Sequence, residues 1–120
     1  MYTTFLASTF RTLRFGLHEA HCKGMAVQFN YLLDKGAIVA APDGTFAADY
    51  AKFKPAVRDL TGELLTIEAT GDYAAAKAML DRLAVVRPAL AAAFEKLKDL
   101  PTDIEPLFVT ANEIYRRTDP

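Results

Sequence analysis

Between Phe10 and Gly36 the apolar or small residues fall at Phe10, Leu13, Leu17, Ala20, Gly24, Val27 and Tyr31. Their spacings alternate between three and four, the signature of a helix that buries one stripe. This series commits the first part of the chain to helix, and whatever follows must pack against it. Gly36 is the expected stop, because glycine relieves the left-handed conformation that closes many helices. Gly16 and Gly24 lie inside the series and each lowers helix propensity by about 1 kcal/mol relative to alanine, which permits a kink. Ala20 and Gly24, the smallest members of the stripe, would let a second backbone come close.

Ala37-Ile38-Val39-Ala40-Ala41, the turn residues Pro42-Asp43-Gly44, and Thr45-Phe46-Ala47 then read as two short strands joined by a turn. So small a hairpin must lean on helices to be stable. Asp49 suits a cap and Pro55 the first turn of a second helix, whose inward series is Tyr50, Phe53, Val57, Leu60, Leu64 and Ile67, ending at Gly71. Asp72 caps a third helix to about Ala84, with Tyr73, Ala76, Leu80 and Leu83 inward. Pro88 starts a fourth, carrying Leu90, Phe94 and Leu97. The segment from Pro101 to Pro106 cannot be regular helix and reads as an ordered crossing. Thr110-Ala111-Asn112-Glu113 fits a capping box before a short last helix. The expected fold is all-α, four to five helices with one small β-hairpin, in a single domain over residues 1–120.

Composition narrows the function. A chain of 120 residues builds one core, not two. With 14 basic against 15 acidic residues it has no positive excess to attract a phosphate backbone, so a nucleic-acid partner is not expected. No apolar run approaches the roughly 18 residues of a membrane span. Met1-Tyr2-Thr3-Thr4-Phe5-Leu6 lacks the basic start of a secretory signal. The single cysteine, Cys22, has no intrachain partner, which accords with a cytoplasmic address.

Both histidines lie in His18-Glu19-Ala20-His21-Cys22. A zincin helix needs histidines four apart with glutamate following the first, and these are three apart. His18, His21 and Cys22 could converge as three ligands, but such a trio on a helix is more often a polar face beside a half-buried thiol. A nucleophilic Cys22 with His18 as base has no identifiable orienting partner. Gly62-Glu63-Leu64-Leu65 has no histidine at a ligand position. No catalytic residue, metal ligand or cofactor is therefore assigned to this chain. One feature stands out: Arg14, His18, His21, Met25 and Gln28 share one flank of the first helix, beside its apolar stripe. That flank either lines a cleft or is an ordinary solvated face.

Arg14-Phe15-Gly16, Glu19-Ala20-His21, Lys23-Gly24 and the run from Gln28 to Gly36 form a recognisable pattern. With Asp43-Gly44-Thr45-Phe46 and the run from Leu64 to Tyr73, the chain resembles the dipeptidyl peptidase III family of zinc metallopeptidases, in its bacterial and plant, Nudix-associated branch. The resemblance spans nearly the whole chain and corresponds to the C-terminal part of the helical lobe of a much longer enzyme. It implies a two-lobed peptidase that removes dipeptides from peptide N-termini. It also implies zinc held by a His-Glu-x-x-Gly-His motif and a Glu-Glu motif. Neither stands in this sequence, so zinc is expected only in the full-length enzyme.

By the same resemblance, His21 matches a cleft histidine that hydrogen-bonds substrate near the scissile bond; Arg14 and Gln28, on the same helix flank, are its expected substrate-binding neighbours. Met25 stands where animal enzymes place an arginine, and Cys22 and Lys23 also depart from their pattern, which leaves peptide preference open. The expected partners are a peptide substrate and an upstream zinc-bearing region of the same enzyme, both in the full-length context. The alternative is a standalone helical dimerisation module. A homodimer is expected, centred on the first helix, because Tyr2, Phe5, Phe10, Phe15 and Phe29 occupy several of its faces.

Overall fold

A computed structural model describes residues 1–101. The chain order is α1 (Tyr2–Leu13), α2 (Ala20–Asp34), β1 (Ile38–Ala40), β2 (Phe46–Ala48), α3 (Tyr50–Thr70), α4 (Tyr73–Leu83) and α5 (Pro88–Leu97). Among the described residues the fold is mostly helical, five helices with one two-stranded hairpin, and this fold class is the one the periodicity predicts. The expected last helix at Thr110–Glu113 and the crossing beyond Pro101 lie outside the described residues.

The expected single helix from Phe10 to Gly36 is two helices. α1 ends at Leu13, and Arg14 to Glu19 form an irregular joint in which Gly16 takes φ +96°. No L side chain rests easily there, so the glycine permits a complete break rather than a kink. His18 packs against it, and a Cβ at position 16 would lie 3.2 Å from the imidazole. Gly24, by contrast, sits within unbroken α2.

α2 is the central element, buried on two sides. Phe29, Leu32 and Ala26 face one cluster with Leu6 and Leu13 of α1, Ile38, Phe53 and Leu90. Val27 and Tyr31 face a second with Leu60 of α3 and Met79 and Leu83 of α4. Asn30 lies between them, fully buried, and its Nδ2 donates to the carbonyls of Leu83 at 2.8 Å and Val85 at 2.9 Å. The C-terminus of α4 is thereby satisfied by a side chain from α2. Tyr31 Oη donates to Glu63 at 2.6 Å, and burial, then that carboxylate, push the phenol up to about 12.

The hairpin is antiparallel, with Ile38 opposite Ala48 and Ala40 opposite Phe46. Asp43 Oδ1 closes its turn by accepting from the N–H and hydroxyl of Thr45. Asp49 caps α3, accepting from the N–H groups of Ala51 and Lys52, while Gly71 at φ +62° ends it. Asp72 caps α4 through the N–H of Ala75. Pro55 falls within α3, later than the first turn expected of it.

Two expectations about inward faces are corrected. On α3 the residues that enter the core are Phe53, Ala56 and Leu60, while Tyr50, Val57 and Leu64 are exposed. On α4 they are Met79 and Leu83, with Tyr73 and Leu80 exposed. The stripes carry more apolar residues than the described neighbours cover. The aromatics of the first helical region go the other way. Phe10, Phe29 and Phe46 pack ring to ring at centroid distances of 5.2 to 5.6 Å, Tyr2 stacks on Phe53 at 4.4 Å, and Phe5 meets the edge of Phe53. Of the five aromatics that the other helices are not expected to bury in full, only Phe15 is exposed.

Candidate functional site

The joint between α1 and α2 decides which polar residues meet. Because the chain turns at Gly16, α1 folds back on α2 and brings Thr12 beside the first turns of α2. Thr12, Ala20, His21, Gly24, Met25 and Gln28 then line an open groove of about 480 Å³. His21, Met25 and Gln28 follow the i, i+4, i+7 spacing that puts side chains on one face of a helix. His21 is exposed in the first turn of α2, and Gln28 is half-buried two turns deeper.

Two of the three residues singled out by sequence are therefore together. Arg14 is not. It lies in the joint, where its guanidinium donates to the carbonyl of Leu100 at 3.0 Å and sits 5.3 Å from the centre of the Phe15 ring. A single unbroken helix would have kept Arg14 in line with His21, and the turn at Gly16 removes that alignment.

His18 and Cys22 line a second groove of about 660 Å³ with Glu19, Arg11 and Ser8. Thr12 belongs to both walls. His21 is not in this second lining, so the three conceivable ligands are split between two grooves. No group of three histidine, cysteine, aspartate or glutamate side chains able to hold a metal occurs among the described residues.

The His21 groove has the equipment of a binding wall. Imidazole supplies a hydrogen-bond donor, the Gln28 amide both a donor and an acceptor, and Thr12 a hydroxyl. Beside His21, the first N–H groups of α2 have no intrahelical acceptor, and the Glu19 side chain makes no cap bond to them. These donors and the positive end of the helix favour oxygen atoms bearing negative charge. The groove holds no paired carboxylates and no nucleophile with an adjacent base. Thr12 was not foreseen as a wall residue, since only the reversal at Gly16 carries it there.

No known family profile matches the chain. It is 47% identical over 116 residues to a protein described as Nudix hydrolase 3 of Arabidopsis thaliana, an alignment covering 95% of this chain and 15% of that one. Among solved structures, dipeptidyl-peptidase III from Corallococcus sp. strain EGB matches 97% of this chain at 49% identity and a TM-score of 0.84. DPP III from Caldithrix abyssi matches the same share at 45% identity and a TM-score of 0.83. In both cases the chain covers 22% of the solved chain. These residues thus span between about a seventh and a fifth of the proteins they match. Sequence and backbone agree with one part of a dipeptidyl peptidase III, whereas the plant protein bears the name of a different hydrolase.

Proposed function

We propose that these residues form the C-terminal part of the helical lobe of a dipeptidyl peptidase III-like zinc metallopeptidase, where they supply one wall of the peptide cleft. The observation that carries this reading is the joint likeness in sequence and backbone to solved dipeptidyl peptidase III chains, with His21 standing open in a groove on that fold. In this role His21 donates a hydrogen bond to the carbonyl oxygen of the scissile peptide as negative charge develops there. A preorganised donor at that position stabilises the transition state more than the ground state. Gln28 and Thr12 hold the peptide backbone alongside.

Zinc does not fit the donors of the described residues. The described residues bring no three ligands together, and the sequence has no His-Glu-x-x-Gly-His motif. In this reading the metal and the carboxylate that serves it belong to the rest of the longer polypeptide.

The test is a chimera in which this chain replaces the matching segment of the Corallococcus enzyme. Release of dipeptides from a dipeptidyl arylamide should be retained, and the isolated chain should release none. His21→Ala in the chimera should lower kcat by roughly 10²–10³, the usual loss for one oxyanion donor, while Arg14→Ala should change it little. An active chimera indifferent to His21→Ala would remove His21 from the mechanism. A standalone dimerisation module is the second reading, favoured by the apolar residues exposed on α3 and α4.

A further inference from the structure

The second half of α3 and the outer side of α4 carry apolar residues that the described chain does not cover. Val57 is 43% exposed, Leu64 45% and Leu80 49%, each one a position that the helical periodicity directs inward. They are not scattered. One apolar groove runs from Met1 and Phe5 over Leu60 to Leu64, and a second runs from Leu64 over Ile67 to Leu80. The two share Leu64 and Gln28 in their walls and so form one furrow along α2, α3 and α4. Its floor includes Gly24, where an added Cβ would meet nothing within 4 Å. The furrow also runs into the His21 groove, since Gly24 and Gln28 line both.

We propose that this furrow seats an apolar-faced helix from the remainder of the longer polypeptide, and that the seated helix forms the second wall of the cleft opposite His21. The inference rests on the reading of the chain as part of a longer peptidase. Three observations select this occupant. The matched structures carry this fold as 22% of their length, so a much larger body accompanies it there. The exposed apolar residues sit at inward positions of long helices, as they would if a further helix completed the layer. The furrow ends beside the groove that contains His21, and that groove lacks a catalytic partner of its own among the described residues. An element seated over Leu64 and Leu80 would stand next to Gln28 and bring such a partner within reach of substrate.

The test compares the isolated chain with the chimera that contains the Corallococcus enzyme's remaining sequence, each carrying Leu64→Glu with Leu80→Glu. Leu65→Glu is the control, because Leu65 is 59% exposed and lies outside the furrow. The paired change should lower the thermal midpoint of the isolated chain by a few degrees at most and that of the chimera by roughly 4 °C or more beyond it. The control should leave both in place. Should the charged pair prevent recovery of the chimera, Leu64→Ala with Leu80→Ala should give the same ordering with a smaller shift.

Equal midpoints for parent and paired-variant chimeras would overturn the proposal. An equal loss in the isolated chain would also overturn it, by placing the covering element within these 120 residues. So would a dimer of the isolated chain that the paired change converts to monomer while the chimera stays unaffected, since a second copy would then be the occupant. A stability difference in a chimera that releases no dipeptide would retain the docking surface and sink the peptidase reading alone.

Discussion

The two sides of α2 face different worlds. Around Phe29, helix α1, the hairpin, the start of α3 and α5 close from several directions, and even the aromatic rings of Tyr2, Phe5 and Phe10 find partners. Along the outer half of α3, a helix roughly 31 Å long at 1.5 Å per residue, only α4 and part of α2 are present, and the apolar stripe stays half in water. The closed end holds the fold together, while the open arm keeps apolar surface available for recognition. A single sequence rule, the three-four periodicity, produced both, and only the number of covering elements separates them.

The largest effect expected from this contrast comes from Phe29→Ala at the closed end. Phe29 is fully buried and touches the rings of Phe10 and Phe46. Truncating it removes transfer free energy and leaves a cavity that helices on several sides cannot collapse to fill, a cost of about 3–5 kcal/mol. Urea unfolding of the chain measures it, and a loss under about 1 kcal/mol would mean that stability does not reside in this cluster.

Next in size is Asn30→Leu, at the boundary between the two regions. The change fills similar volume and relieves the buried Oδ1, which has no hydrogen-bond partner, but strands the carbonyls of Leu83 and Val85. Leaving buried acceptors unsatisfied costs roughly 1–3 kcal/mol. Amide exchange should show the loss concentrated in the last turn of α4. Uniform loss across all helices would contradict the capping role.

Much of this was legible in the sequence. The hairpin was marked by Pro42-Asp43-Gly44, the starts of α3 and α4 by Asp49 and Asp72, and the end of α3 by Gly71, because these residues act on the backbone within a few positions of themselves. The break at Gly16 was harder to read. Leu13, Leu17 and Ala20 continue the helical spacing straight through it, and periodicity cannot distinguish a glycine that is tolerated from one that takes a positive φ. The turn at Gly16 takes Arg14 out of the candidate groove and brings Thr12 into it. His21 and Gln28 line one groove because they share an unbroken helix. The stripes of α3 and α4 predict burial at Val57, Leu64 and Leu80 because the pattern records what the side chains are suited to, whatever covers them in these residues.

Leu80→Gln probes the open arm with a smaller expected effect. Helix propensity is nearly unchanged, and about half of the side chain already meets water in the isolated chain. The substitution should cost no more than about 0.5–1 kcal/mol there, well below the value at Phe29. A cost of Phe29 size would erase the distinction between the two regions.

The smallest effect belongs to the staple that ties the exit from the open arm back to the end of α2. Arg87 grips Asp34 with both guanidinium nitrogens, the longer contact at 3.1 Å. The Asp34 hydrogen bond to Arg87 holds its carboxyl below the usual 3.8. Both side chains are partly in water, at 27% exposure for Arg87 and 45% for Asp34, so solvent screening keeps the pair near 0.2–1 kcal/mol. The sign follows from linkage: a carboxylate whose pKa falls on folding adds stability that is present above its unfolded value and is lost as pH falls through its folded value. Arg87→Met should therefore lower the unfolding free energy slightly above about pH 4. The gap from the parent chain should close in stronger acid, once Asp34 is protonated in both states. Urea titrations of the two chains across that range measure the gap. A constant difference down to the lowest pH would show that Arg87 acts through the packing of its stem against the arm, with its charge contributing nothing.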